Sequence, residues 1–248
     1  MDTNEHQLDQ HDLYMVRRRI PIPVAKALKY AKGDPRAILA GGFIRAIVGH
    51  EEAADIDLFV ADPLHAEITA NRIETYANEG EKVKLRRMKT DNALSIFGLS
   101  LPVQIITRWT YPDAGDLVSS FDFSVCQAAA WWTPKEGLAD GHWNSLVGER
   151  FYTDLASKRL TYTQPKRHED AGGSLLRVLK YYQRGYRIPL SDLGAVVARL
   201  LGGVDFQKTD PSNQEKMKMV LAGLLREVDP LIDPDHIMHE GEPVNGAL

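Results

Sequence analysis

"ILAGGFIRAIVGHEEAADIDLFV", residues 38 to 60, is the stretch on which the reading of this chain turns. "RAILA" (36 to 40) is predicted to be a short buried strand, and "GGFIRAIVG" (41 to 49) a helix opened by two glycines and closed by a third. "DIDLFV" (55 to 60) alternates polar and apolar residues and ends in β-favouring ones, which predicts a second strand. Side chains two apart on a strand leave from the same face. Asp55 and Asp57 are then neighbours, while Ile56 and Leu58 point into the core. Adjacent carboxylates repel unless a cation lies between them, and a hard, oxygen-seeking ion such as Mg2+ suits that position, shared with substrate phosphates and water. Gly41 and Gly42 allow a backbone to come close to a phosphate, and a helix starting there aims N–H groups at the anion. Arg45, one turn in, either adds a charged contact or braces the loop internally. Glycines and aspartates together point to a nucleoside triphosphate with its metal.

Composition is compatible with that. The chain has 248 residues, 44% of them apolar and 26% charged, as in ordinary globular proteins. Its only cysteine, Cys126, excludes a disulfide framework and a thiolate metal site, so the cytoplasm is the expected compartment. The polar start "MDTNEHQLDQHD" is the reverse of a secretory signal, and no apolar run approaches the roughly 20 residues that span a bilayer, so no membrane partner is expected. A net charge of -4 argues against non-specific coating of nucleic acid, although the basic stretch from Arg150 to Arg187 leaves room for a local phosphate-binding face. The same stretch also reads as a solvated helix face.

Along the chain, residues 1 to 20 read as a polar N-terminal arm ending in Arg17, Arg18 and Arg19. "VAKALKYAK" (24 to 32) and "LHAEITANRIETYANEG" (64 to 80) are predicted helices, and "ALSIFGL" (93 to 99) with "LPVQIIT" (101 to 107) a hairpin or adjacent strands. "AGDLVSSF" (114 to 121) is a short helix, while "FSVCQAAAWW" (123 to 132) fits either a strand or a helix. Beyond residue 150 helical periodicity takes over, in 175 to 186, 191 to 203 and 213 to 228. The expectation is an α+β protein: a head over 21 to 150, a helical neck and C-terminal region over 151 to 230, and a loose tail over 231 to 248, the boundary falling near 140 to 165.

"GGFIR…DIDLF" resembles the signature of the DNA polymerase β-type nucleotidyltransferase superfamily, in the poly(A) polymerase and CCA-adding enzyme branch, where G-G-x-V-R-D precedes D-x-D. "SFDFSVCQAAAW" (120 to 131) is similar to that branch's R-R-D-F-T-x-N-A-L, with Asp122 and Phe123 on D-F and Gln127 and Ala128 on N-A. "SLLRVLKYYQRGYRI" (174 to 188) is similar to its neck helix, with Arg177 on the L-R arginine, and residues 137 to 160 resemble its linker, with Asp154-Leu155 before a basic turn. The resemblance covers roughly residues 36 to 190. It implies a small mixed β-sheet nucleotidyltransferase head with flanking helices, followed by the helical neck. It also implies transfer of a nucleoside monophosphate from an NTP to an acceptor hydroxyl, with release of pyrophosphate, on an RNA 3′ end, a nucleotide or a protein. Mg2+ or Mn2+ would sit on Asp55 and Asp57, the catalytic pair. Gly41 and Gly42 would hold phosphates, and Arg45, Asp122, Arg177, Lys180 and Arg184 would complete the nucleotide site. The last three, at i, i+3 and i+7, make one stripe, facing either the triphosphate or acceptor, or simply solvent opposite the apolar Leu176–Leu179 side.

Several positions depart from the signature. Ala46 stands where G-G-x-V-R-D ends in aspartate, and Ser120 and Phe121 replace the arginines of R-R-D-F. Gln104 occupies the strand position where a third carboxylate is expected; an amide can offer a carbonyl oxygen to a metal but no charge and no base. Asp122 either substitutes for it in space or braces the fold. The E-D-x-x-R nucleotide-selecting element and a long tRNA-gripping body are missing, so a complete CCA-adding enzyme is not expected. A catalytically silent nucleotide- or RNA-binding module of the same fold is the alternative function. An unrelated α/β domain would be recognised by a sheet order that separates Asp55 and Asp57 from the Gly41 turn. Trp109, Trp131, Trp132 and Trp143 either stack on a base or pack in the core, and His236 with His239 form an i, i+3 pair in the tail.

Overall fold

The computed structural model describes residues 6–29, 37–79, 84–135, 141–165 and 171–226. The chain divides into two compact units, 1–165 and 166–248.

The first unit carries all the strands among the described residues. In chain order these are β1 (Ile38–Ala40), β2 (Ile56–Phe59), β3 (Arg86–Lys89), β4 (Ala93–Phe97), β5 (Val103–Ile106), β6 (Ala128–Pro134) and β7 (Gly141–Val147). Its helices are α1 (Gln10–Arg19), α2 (Ile22–Lys29), α3 (Gly42–Val48), α4 (Pro63–Ala77), α5 (Ala114–Ser120) and α6 (Phe151–Ala156), with a 3-10 turn at Ser124–Cys126. The strands form one mixed sheet in the order β3-β4-β5-β2-β1-β6-β7, in which β2 and β5 are parallel and every other pair antiparallel.

Alternation along the strands decides the two faces. Leu39, Ile56, Leu58, Ile96, Val103 and Ile105 are fully buried on one face, beneath α2, α3 and α4. Asp62 starts α4 by accepting from the His65 amide at 3.0 Å, with Pro63 at the first helical position. On the other face, Ala114, Leu117 and Val118 of α5 cover Ile38, Ala40, Phe59 and Ala129. Asp57 and Gln104 share that second face and are only half-buried.

The fold is thus the expected mixed α+β one, with differences in detail. Residues 10–19 form a helix where an arm was expected, and the segment before it is tied down. The Val147 amide donates to the His6 carbonyl at 2.8 Å, and the Leu8 amide to Ser145 Oγ at 3.0 Å. Tyr152 Oη accepts from the Asp9 amide at 2.7 Å and donates to Asp12 at 2.9 Å. The linker-like stretch contains β7, whose Trp143, Ser145 and Val147 point inward, and α6. β3 carries no apolar pattern; it is an edge strand clamped from α4, with Arg87 bonded to Glu67, Asn71 and Glu74. Of the two readings of 123 to 132, the strand holds, after the 3-10 turn. Trp132 and Trp143 pack edge to face at 6.0 Å, and Trp131 lies against the α5 core.

The second unit packs α7 (Ala171–Gln183), α8 (Leu190–Gly202) and α9 (Gln214–Arg226) on one another. A Cβ on Gly172 would lie 2.2 Å from the Leu224 carbonyl oxygen, so glycine is what allows α7 and α9 to approach there. The buried face of α7 is Ser174, Val178 and Tyr181; Leu179, assigned above to an apolar side, is 48% exposed. The tail and its His236–His239 pair lie outside the described residues.

Candidate functional site

β1 and β2 run antiparallel, with Ile38 opposite Phe59 and Leu39 opposite Leu58. One further step of that register sets Ala40 opposite Asp57, and the Gly41–Gly42 turn follows directly in the chain. The two halves of the opening motif thus lie on neighbouring strands in the middle of the sheet. Gly41 has φ +78°, and a Cβ there would come within 3.0 Å of the Phe121 ring. Both facts demand glycine. Its amide donates to the Ala128 carbonyl at 2.9 Å, which ties the turn to β6. Gly42 differs, since a Cβ there would meet nothing within 4 Å. Its Cα side faces open space, so packing does not require glycine there.

Asp57 and Gln104 are partners across the parallel β2–β5 pair, so their side chains share a face. Gln104 Nε2 donates to Asp55 Oδ2 at 3.4 Å. A carboxylate can only accept, which fixes the amide with its nitrogen toward Asp55. In the next strand Ser95 is the partner of Gln104, is 1% exposed, and its hydroxyl has no hydrogen-bond partner among the described residues. Asp57, Gln104 and Ser95 thus form a polar row across three strands, and Ser95 was not singled out from sequence because its hydroxyl sits in an otherwise apolar run.

Arg45 takes the bracing alternative. It is 1% exposed and paired with Glu51, which also accepts from Lys158. Burial raises the Glu51 pKa, but bonds from Lys158 and Arg45 outweigh it and hold the carboxyl below its usual range. Glu51 is the counter-ion sequence reading missed; it lies six residues from Arg45, beyond the helix, a separation no local rule flags. Ala46, where the signature has aspartate, is fully buried.

Asp122 is 3% exposed, and its carbonyl accepts from the Thr163 amide at 2.9 Å. The Arg45 and Asp122 side chains are thus both enclosed within the first unit. Beside Asp122, Ser124 Oγ donates to Asp154 at 2.6 Å and Arg150 bonds the same carboxylate at 2.9 Å. Asp154 is fully buried, which raises its pKa, but bonds from Arg150, Ser124 and Thr161 hold it below the usual aspartate range. Arg177, Lys180 and Arg184 lie on and just beyond α7 in the second unit; Lys180 is exposed, Arg177 half-buried, and the Arg184 guanidinium lies over the Tyr181 ring at 5.9 Å.

Two carboxylates two residues apart, one of them bonded by the Gln104 amide, are a donor set that one hard divalent cation could share with phosphate oxygens and water. Among the described residues no group of three or more His, Cys, Asp or Glu side chains could hold a metal.

Residues 14–158, more than half the chain, match the family described as Gabija anti-defense 2. The chain belongs to that family. No curated protein matches it. Among solved structures, it is similar to the Thermotoga maritima CCA-adding enzyme complexed with tRNA_CCA at 19% identity and a TM-score of 0.52, covering 90% of this chain and 49% of that one. It is also similar to a CCA-adding enzyme in complex with ATP, at 20% identity, TM-score 0.50, and 90% and 49% coverage. A tRNA-processing enzyme in apo form matches at 14%, TM-score 0.50, and 88% and 57% coverage. At these identities the likeness is one of fold. This member of the Gabija anti-defense 2 family has the fold of the CCA-adding nucleotidyltransferases and spans about half the length of the solved structures it matches. No helix among its described residues is long and apolar enough to cross a membrane.

Proposed function

We propose that this protein is a metal-dependent nucleotidyltransferase, acting in the cytoplasm, that moves a nucleoside monophosphate from an NTP to an acceptor hydroxyl. The observation that supports the reading is the β1–β2 register, Ile38 with Phe59 and Leu39 with Leu58, which runs on toward the Gly41–Gly42 turn from one strand and toward Asp57 and Asp55 from the other. An unrelated α/β domain has no reason to bring these together.

Asp55 and Asp57 would hold Mg2+ or Mn2+, which when bound neutralises charge on the triphosphate. The open Cα side of Gly42 admits phosphate oxygens to the backbone amides, while Gly41 keeps the turn in its left-handed conformation. Arg45, Glu51 and Lys158 brace the loop behind the turn and do not touch substrate. In the transfer, the acceptor oxygen bonds to the α-phosphorus as the bond to the β-phosphate oxygen breaks. Pyrophosphate leaves and the acceptor proton passes to water. Arg177, Lys180 and Arg184, a basic stripe of the second unit, would contribute positive charge toward a phosphate-bearing ligand or acceptor. The domain assignment goes with this reading: a head, then a helical neck. Membership of an anti-defence family supports an acceptor within the defence machinery, an RNA 3′ end or a protein hydroxyl.

The test follows label from each α-labelled NTP with Mg2+ or Mn2+, using total RNA and whole lysate as acceptors, beside an Asp55→Asn, Asp57→Asn double variant. Label transferred by wild type and not by the variant supports the enzyme, and the labelled band names the acceptor class. A second reading, a nucleotide-binding module without turnover, is favoured by Gln104 in place of a third carboxylate. It predicts triphosphate binding that the double variant loses, with no transfer at all.

A further inference from the structure

The polar row on the second face of the sheet suggests how many cations the site takes. Two-metal sites hold their ions about 3.5–4 Å apart, each needing its own anionic ligands and at least one carboxylate shared between them. Here Asp57 faces Gln104 in register, and the Gln104 amide nitrogen, 3.4 Å from Asp55 Oδ2, presents N–H groups where a second cation would have to bind that carboxylate. A donor dipole aimed at Asp55 occupies one of its lone pairs and opposes a cation there. The strand beyond adds only the Ser95 hydroxyl, and no third acidic or imidazole group joins the pair among the described residues.

We propose that Gln104 makes this a one-cation site: a single divalent ion enters with the triphosphate on Asp55 and Asp57, and the Gln104–Asp55 hydrogen bond stands in for a second ion. Gln104 is a positioning residue, acting through Asp55. The proposal rests on the nucleotidyltransferase reading. It has a direct consequence: with two carboxylates and no third, the protein binds free divalent cation weakly and binds it well only as a complex with nucleotide.

The test is equilibrium dialysis of the full chain against Mn2+, with and without the α,β-methylene analogues of ATP, GTP, CTP and UTP, measuring Mn2+ and nucleotide retained per chain. Wild type should retain one Mn2+ per nucleotide. Gln104→Glu keeps the side-chain shape and adds the charge; Gln104→Asp does the same with a shorter reach. At least one of the two should retain two Mn2+ per nucleotide and bind nucleotide-free Mn2+ at least about 10-fold more tightly, given the strength of an added charge at contact distance. Gln104→Ala should stay at one. Two Mn2+ per nucleotide in wild type, or a ratio of one in both acidic variants, would overturn the single-cation assignment while leaving the transferase reading intact. Retention of no nucleotide by wild type would overturn the transferase reading itself, and this proposal with it.

Discussion

Two groups of carboxylates in the first unit have opposite surroundings. Glu51 and Asp154 are enclosed by cations and hydroxyls: Arg45 and Lys158 on one, Arg150 and Ser124 on the other. Asp55 and Asp57 stand beside each other, half-buried, with an amide as the neighbour across the sheet. The first arrangement balances its charge within the chain and holds a loop and a helix in place. The second sets two half-buried carboxylates two residues apart at the start of an interior strand, an arrangement that a cation would favour. The same residue types therefore have two kinds of surroundings, one closed by cations of the chain and one with a neutral amide beside it, and under the proposed function the second serves a ligand.

The comparison breaks most readily at Glu51. Replacing it with alanine leaves the Arg45 guanidinium buried without its counter-ion, which should cost about 3–5 kcal/mol in urea unfolding. A loss below about 1 kcal/mol would mean that the brace is not structural. At the open pair, Asp55→Asn with Asp57→Asn should change folding stability by no more than about 0.5 kcal/mol. The same variant should lower nucleotide transfer by about 100-fold or more, the scale of losing a group that stabilises transition-state charge. A destabilised variant would put these aspartates with the structural group.

The two glycines sharpen the contrast. Gly41→Ala meets a left-handed backbone and the Phe121 ring, and should cost about 1–3 kcal/mol in thermal or urea unfolding. Gly42→Ala meets open space and should leave stability unchanged or raise it by about 0.4–1 kcal/mol. If phosphates lie on that turn, triphosphate affinity measured by calorimetry should nevertheless fall. Unchanged affinity in Gly42→Ala would remove the turn from the nucleotide site.

The smallest effect is a pH dependence. Asp154 has its pKa depressed in the folded state, so its bonds stabilise the fold fully above the unfolded value of about 3.9 and are lost as pH falls through the folded one. The stability gap between wild type and Asp154→Asn should therefore be constant near neutrality and close below about pH 4. A gap that persisted unchanged to pH 2.5, about 1.4 units below that reference value, would show that the carboxylate's charge is not what Arg150 and Ser124 hold.

Much of the head could be read from local pattern. Gly41 and Gly42 before an apolar heptad, the alternation in Ile56 to Phe59, and the period of α4, α7, α8 and α9 each follow from spacing that a strand or helix imposes. β3 could not, because "RRMK" has no apolar face and depends on Glu67, Asn71 and Glu74 of α4. β7 carries an alternation and follows Asp140-Gly141, a turn signal, but it reads as a linker until β6 pairs with it. α1 hides in a polar sequence with Val16 as its buried residue.

The sequence by itself determined that a strand carries Asp57 with Asp55 just before it and that a glycine turn precedes a helix, since both depend only on the local backbone pattern. Only the tertiary structure decided that these meet. Strand order and register are set by which strands pair across the whole sheet, and no local rule sets β1 against β2 or Gln104 against Asp57. The same holds for Arg45. A buried arginine and an exposed one look alike in sequence, and the counter-ion that separates them comes from wherever the fold brings a carboxylate.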